Sequence, residues 1–358
     1  MTRSYFITGG TGLIGRELVS LLVTQNHEVT VLTHKKENRG SLEDLGVGVV
    51  VGDITDVETY KQGMLQASHV IHLAAHVHVG VQTKKTKEKL EKTNVRGTEV
   101  LLATLSTNPP DQVVVTSSRQ VFGRTDGVGT EKSPHKGFKQ SFYAWTKEAT
   151  HQIARNAIQG GLPVTIAIPG TVYSQTVSDS GVGQFLRRYC QKMPARVTPH
   201  VHNTYADVRD VAKGIVRMTE LTKAIGEEYI LANGYLPYQE LYDLCEELTG
   251  IPQPKITIPS KVGRALVQLT DPIARVFGAK PTLSKETLRN ITTDCRLSNL
   301  KAQQDLGMRF RPLQGSLRES FSSQLVSLRS AGILKDSSGA KANSITSAST
   351  KRPRLSKY

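Results

Sequence analysis

The sequence predicts a doubly wound α/β fold, a parallel sheet covered on both faces, with a smaller lobe behind it. Three observations point there. Short β-branched runs alternate with amphipathic helical stretches through the first half of the chain. The first apolar run ends in glycines that open the first helical stretch. The length, 358 residues, suits one large α/β unit plus a second, smaller body.

Tyr5-Phe6-Ile7-Thr8 is a short apolar strand that runs straight into glycine. Leu13 to Thr24 has helical spacing, with Leu13, Ile14, Leu18, Leu21 and Leu22 recurring on one side. Glu28 to Thr33, Val47 to Val51 and Val70 to Leu73 are the next three strands. Thr93 to Leu105 reads as helix, Gln112 to Ser117 as the fifth strand, Phe142 to Ile158 as helix and Val164 to Ile168 as the sixth strand. After about residue 172 Pro and Gly recur and the rhythm loosens, although Tyr238–Thr249 and Val262–Phe277 still read as helices. The expected organisation is a nucleotide-binding unit over 1–172 and a substrate-facing lobe over 173–330 that returns some elements to the first unit. A disordered basic tail over 336–358 completes it.

Composition narrows the class. An apolar fraction of 38% and a charged fraction of 22% describe a globular chain rather than a disordered one. No apolar window is long enough to span a bilayer. Cys190, Cys245 and Cys295 are far apart and form no metal-ligand spacing, so they read as reduced residues of an intracellular, cytoplasmic protein. His72, His76 and His78 cluster, but no Cys or Asp completes a ligand set, and no metal is expected. The net charge is +15, and residues 335–358 hold six Lys/Arg against Asp336 alone. Lys84-Lys85-Thr86-Lys87-Glu88-Lys89 reads as a solvated basic face. The end Lys351-Arg352-Pro353-Arg354-Leu355-Ser356-Lys357 resembles a short import signal, but an incidental basic end explains it equally well. The expected partner is a small molecule and not a nucleic acid. The stripe Val262, Ala265, Leu266, Leu269, Ile273 and Val276 reads as closing a substrate pocket, with peripheral membrane contact as the other reading. A homodimer is compatible with all of this.

Thr8-Gly9-Gly10-Thr11-Gly12-Leu13-Ile14-Gly15 places glycines between the first strand and the first helix. Glycine there permits the tight turn, lets a pyrophosphate approach the backbone, and lets helix and strand pack closely. The free N–H groups of the helix start then face the phosphates. This is the Rossmann-type dinucleotide signal. The second strand ends Leu32-Thr33-His34-Lys35-Lys36, with no acid before Glu37. A carboxylate at that place would bind both ribose hydroxyls, whereas His34 and Lys35 suit a 2′-phosphate, so NADP(H) is favoured over NAD(H). Asp53, in Gly52-Asp53-Ile54-Thr55-Asp56, can accept from the adenine amino group, with Thr55 or Asp56 capping the next helix.

Tyr143 and Lys147 stand four apart on a predicted helix and share a face. A phenol beside a hydride acceptor can protonate a carbonyl oxygen, and a neighbouring ammonium or a positive nicotinamide ring would lower its pKa. Ser118, at the end of the fifth strand, would donate to the same oxygen and is preferred to Ser117 by motif position.

With these pieces the chain resembles the extended short-chain dehydrogenase/reductase superfamily. The matching segments are TGGTGLIG (8–15), GDITD (52–56), IHLAA (71–75), NVRGTEVLLATL (94–105), VVVTSSRQVFG (113–123), YAWTK (143–147), IPGTVYS (168–174) and KAQQDLG (301–307). The resemblance runs over about residues 3–325 and is nearest to the hydroxysteroid dehydrogenase and dihydroflavonol reductase-like group. It implies Ser118, Tyr143 and Lys147 as the catalytic set. It implies a cofactor set of Gly9, Thr11, Gly12, Leu13, Ile14, Gly15, His34, Lys35, Asp53, Ile54, Leu73, Ala74, Ala75, Asn94, Tyr143, Lys147, Pro169, Thr171 and Val172. In it Asn94 steadies the active-site helix, and Pro169, Thr171 and Val172 flank the nicotinamide. Ile168 and Thr171 stand where nucleotide-sugar relatives often carry Arg and Asn. Arg119 and Gln120 stand where dehydratases place Asp and Glu, and neither can carry an elimination. The expected reaction is ketone–alcohol interconversion on a fairly apolar molecule. The alternatives are a nucleotide-sugar epimerase and a non-catalytic nicotinamide-binding sensor.

Overall fold

Apolar runs this short, when buried on both faces, pair as a parallel sheet, and seven do so here. They are β1 (Ser4–Thr8), β2 (Glu28–Thr33), β3 (Gly48–Val51), β4 (His69–His72), β5 (Gln112–Thr116), β6 (Val164–Pro169) and β7 (Glu228–Leu231). The computed structural model describes residues 2–35, 37, 39–78, 83–176, 181–197, 200–259, 288–289 and 291–332. The spatial order is β7-β6-β5-β4-β1-β2-β3, with every pairing parallel. The order reverses between β1 and β4, where Thr8 lies opposite both Leu32 and His72. In such sheets the crevice outside the strand carboxyl ends at the reversal is the ligand site.

Side chains alternate across the sheet, so Tyr5 and Ile7 face one layer and Phe6 the other. The first layer is closed by α1 (Leu13–Thr24), whose Leu18, Val19 and Leu22 are fully buried. The opposite layer holds α2 (Gly97–Leu105) and α3 (Phe142–Gln159), packed over Val113, Val115 and Ile166. Each such side chain contributes about 1.5–3 kcal/mol of burial free energy. The first layer is completed by α4 (Val208–Glu220), packed on α1. Thus β7 and α4 come from beyond residue 172 and join the main sheet.

The remaining chain builds a lobe against the strand ends. Thr171–Tyr173, His202–Asp207 and Gly234–Pro237 form a three-stranded sheet. Helices Gly181–Cys190 and Tyr238–Thr249 join it with α5 (Leu313–Ser330) around Tyr173, Leu186, Tyr242 and Phe321. Tyr173 Oη and Ser316 Oγ, 2.5 Å apart, tie the two ends of this lobe together. Arg209 forks onto Asp207 and Glu319, and Arg311 pairs with the buried Asp210.

Some boundaries differ from the sequence reading. The fourth strand begins at His69, and Leu73 already lies past it, held by one bond to Thr8 O. The helix expected from Thr93 begins as a π-turn, Glu91–Arg96, before α2. Lys84–Leu90 is a separate, largely exposed helix, with Lys84 and Glu88 paired at 3.9 Å. The three cysteines are free and buried. Among the described residues no helix is long and apolar enough to cross a membrane, and no cluster could hold a metal ion. The predicted helix over Val262–Phe277 and the tail 336–358 lie outside the described residues.

Candidate active site

β1 delivers the chain to the sheet reversal, and glycine lets it turn there. Gly9 has φ +76°, and a Cβ on it would sit 2.7 Å from Ala74 N. A Cβ on Gly15 would fall 2.3 Å from Gly9 O, so α1 approaches the loop as closely as backbone allows. Gly12 N donates to Gly9 O at 3.0 Å, and Gly12 is the cap residue of α1 with no side-chain cap. The first-turn amides are therefore left for a ligand to satisfy, as a pyrophosphate would. Gly9, Thr11, Gly12, Leu13, Ile14 and Gly15 all line one cleft of about 1320 Å³, with Leu73 and Ala75 on its β4 side. Arg16, which sequence reasoning passed over, joins them and fixes the turn through Nε to Thr11 O at 3.0 Å.

The adenosine end is more open. His34 and Lys35 are exposed just past β2. Asp53 makes a local turn: its Oδ1 accepts from Thr55 N at 2.9 Å and Thr55 Oγ1 at 2.8 Å. The Thr55 backbone bond, with Lys92 and His34 nearby, holds its carboxyl below the usual range. Asp56 occupies the cap position of the next turn, but without a side-chain cap bond. Ile54 is core, packed over Gly97, and Ala74 N donates to Thr8 Oγ1 at 3.2 Å. These residues border the cleft rather than line it.

α3 starts at a serine cap, Ser141 Oγ accepting from Ala144 N at 3.0 Å, which sets Tyr143 in its first turn. Tyr143 and Lys147 both face the cleft, as do Ser118, Pro169, Thr171 and Val172. Ser118 lies close enough to the Tyr143 phenol to act on it, while the hydroxyl of Ser117 is engaged by His151 Nδ1 at 2.8 Å. That division favours Ser118 as the group beside the reacting atom.

Burial pushes the Tyr143 phenol up to about 12, and Arg119 and Ser118 pull against it without prevailing. The lowering expected from Lys147 is thus absent from the phenol's own titration: desolvation dominates, and Lys147, which sheds its proton at about 8, is neutral by the pH at which the phenol ionises. Lys147 is 4% exposed and donates to Thr116 O at 2.6 Å. Burial brings its ammonium down to about 8.

Two buried networks hold this constellation, and sequence reasoning missed most of both. Asn94, inside the π-turn, accepts from His76 N (2.7 Å) and donates to Thr146 Oγ1 (3.0 Å) on α3. Thr98 Oγ1 donates to Asn94 O at 2.6 Å, so its one proton is committed. His72 Nε2 must then be the donor in its 2.9 Å bond to Thr98 Oγ1, and Nδ1 accepts from Thr8 Oγ1 at 2.7 Å. His72 is therefore neutral, brought down to about 3 by burial with Lys147 adding repulsion. Both its nitrogens serve the fold, which removes it from any metal set.

The second network runs under the fifth strand. His151, one turn beyond Lys147 and fully buried, holds Ser117 on one side and lies 3.1 Å from Glu228 Oε2 on the other. Arg155 forks onto the same carboxylate at 2.5 and 2.9 Å. Burial alone would raise Glu228, but His151 and Arg155 outweigh it and hold the carboxyl at about 2. The spacing of Lys147 and His151 was readable, whereas Glu228 arrives from β7 with no local signal.

Because Glu228 is depressed in the folded state, its stabilisation is present above the unfolded value and is lost as pH falls toward 2. Glu228→Gln should cost of order 2–3 kcal/mol at pH 7. Thermal melts should show the deficit shrinking from about pH 4.5 downward. A deficit unchanged at low pH would mean that packing, not charge, is what the substitution removes.

The model of the NAD dependent epimerase/dehydratase family matches residues 5–232. The protein named "Putative dihydroflavonol 4-reductase" of Synechocystis sp. is 28% identical over 318 residues, covering 86% of this chain and 90% of that protein. The crystal structure of gox2253 superposes with a TM-score of 0.76 at 24% identity, covering 93% of this chain and 100% of that one. MoeE5 in complex with UDP-glucuronic acid and NAD superposes with a TM-score of 0.69 at 20% identity, covering 92% and 99%.

Proposed function

The chain belongs to the NAD dependent epimerase/dehydratase family, and on that premise we propose that it is an NADP(H)-dependent oxidoreductase interconverting a ketone and a secondary alcohol on a fairly apolar small molecule. The observation that carries the reading is the placement of Ser118, Tyr143 and Lys147 in the same cleft as the glycine turn. The name of the Synechocystis relative supports a reductase, and the NAD in the MoeE5 complex supports a nicotinamide cofactor.

The residues fit that cofactor. Gly9, Gly12 and the open first turn of α1 would hold the pyrophosphate, and Lys147 would meet the nicotinamide ribose. Bound there, the cofactor supplies or takes the hydride at the carbonyl carbon. The rest falls to this chain. Ser118 holds the substrate oxygen, and the Tyr143 phenol, protonated at neutral pH, gives that oxygen its proton during reduction. Lys147, charged near neutrality, adds positive potential that favours the transient phenolate. The lobe side of the cleft, with Phe185, Met193, Leu241 and Tyr242, suits an apolar substrate body.

The two residues after Ser118, Arg119 and Gln120, carry no carboxylate to eliminate water. Lys35, exposed at the end of β2, is the expected contact for a 2′-phosphate.

The test is stoichiometry with a panel of hydroxysteroid, flavonoid, keto-acid and nucleotide-sugar compounds. One NADPH is expected per product. NADPH should bind more tightly than NADH, and Lys35→Ala should weaken NADPH roughly fivefold while sparing NADH. Conversion of a nucleotide sugar with no net change in nicotinamide absorbance would instead identify an epimerase, and tighter NADH binding would refute the NADP assignment.

A further inference from the structure

Seven arginines of the described residues, Arg96, Arg155, Arg209, Arg217, Arg296, Arg311 and Arg318, lie against a carboxylate. Arg119 does not, although it is half-buried and lines the catalytic cleft. A guanidinium withdrawn from water without an anion is costly, and the cost persists where a ligand supplies that anion. Two anchors orient it. Nε donates to Thr171 Oγ1 at 2.7 Å, and the Cys295 thiol lies within its reach. Thr171 is held in turn by Asn203 Nδ2 at 3.0 Å.

A second observation converges on the same spot. Tyr205 is 1% exposed and lines the cleft. Among the described residues its hydroxyl has no hydrogen-bond partner of good geometry, and the Asn203 amide stands near it. The guanidinium of Arg119 is close enough to act on the hydroxyls of Tyr143, Tyr205 and Tyr238 alike. Glu240, whose charge reaches Tyr205, accepts from Gln314 Nε2 at 2.7 Å. A fixed cation and a buried O–H with no acceptor among the described residues therefore face one volume next to the catalytic phenol.

We propose that Arg119 and Tyr205 form a carboxylate subsite, and that the substrate is an oxo acid, or the matching hydroxy acid, with its carboxylate a few bonds from the reacting carbon. The separation follows from the guanidinium: Arg119 lines the same cleft as Ser118 and is close enough to act on the Tyr143 phenol, so the carboxylate and the reacting oxygen share one volume. The apolar body of the acid then extends toward Phe185, Leu241 and Tyr242. This inference rests on the oxidoreductase reading of the same site.

The experiment compares benzoylacetate and benzoylformate with their ethyl esters and with acetophenone, using NADPH and the full chain. The acids should be turned over with the higher kcat/KM. Arg119→Met should lower kcat/KM for the acids roughly 10- to 150-fold, the range of a hydrogen bond to a charged group, and change the esters less than about threefold. Tyr205→Phe, a milder change, should cost the acids several-fold and the esters nothing. Calorimetry in the Tyr143→Phe background with NADPH bound reads acid binding without turnover, and Arg119→Met should abolish it. Equal loss on acids and esters, or a wild-type preference for the neutral compounds, overturns the subsite while leaving a reductase in place. Arg119-dependent acid binding with no NADPH oxidation by any compound would retain the subsite and remove the reductase reading.

Discussion

Tyr143→Phe is expected to lower kcat/KM by about 1000-fold, the size of a lost general acid, with NADPH binding preserved. The phenol lies beside Ser118, and burial keeps it protonated in the range where reduction is assayed. Phenylalanine keeps the ring packed in the first turn of α3 and removes only the hydroxyl. Titration of NADPH against the single Trp145, two residues away on the same helix, checks that the cofactor site is intact. Single-turnover mixing with a ketone then measures the chemical step. Retention of more than about a tenth of the rate would take Tyr143 out of the mechanism.

Lys147→Met should produce two effects of opposite sign. Activity should fall by roughly 100- to 1000-fold, because the phenolate formed on proton transfer loses its buried cation. Stability should rise. Lys147 is 4% exposed with a single backbone acceptor, and its ammonium is brought down to about 8 by desolvation. A basic group whose pKa is lowered on folding costs stability wherever it is charged in the fold. The drop from about 10.5 to about 8 corresponds to roughly 3 kcal/mol at neutral pH. Methionine fills the same channel without charge, so the apo protein should melt several degrees higher at pH 7. The gain should fade as pH climbs from 8 toward 10.5, where the wild-type lysine sheds its proton in both states. A variant that is both inactive and less stable at neutral pH would show that Lys147 holds the fold together rather than burdening it.

The two predictions share an origin that recurs across the site: the proposed catalytic groups sit where burial is unfavourable to them, and neighbouring structure compensates. Asn94 and His72 anchor α3 from the β4 side, and Ser117, His151 and Glu228 anchor it from β7. Stability is placed in these networks, so that Tyr143 and Lys147 can remain poorly satisfied.

Local signals carried much of this protein. The alternation of β-branched runs and amphipathic stretches determined six of the seven parallel strands to within a residue or two, because burial on both faces demands continuous apolar runs. The glycine spacing placed the turn, since backbone contacts at Gly9 and Gly15 leave no room for a Cβ. The interval from Tyr143 to Lys147 put both on one face of α3, because a helix repeats every 3.6 residues. The tertiary structure decided what no local pattern encodes. It placed Glu228 at β7, added that strand from the far part of the chain, and made His151 a bridge between Ser117 and Glu228. It also set the direction of the Tyr143 shift. A sequence shows that an ammonium lies one turn from a phenol, but the depth at which both are buried, and the approach of Arg119 from the end of β5, depend on how the layers close over them. Desolvation is a property of the packed volume around a group, and that volume is built from residues far apart in the chain.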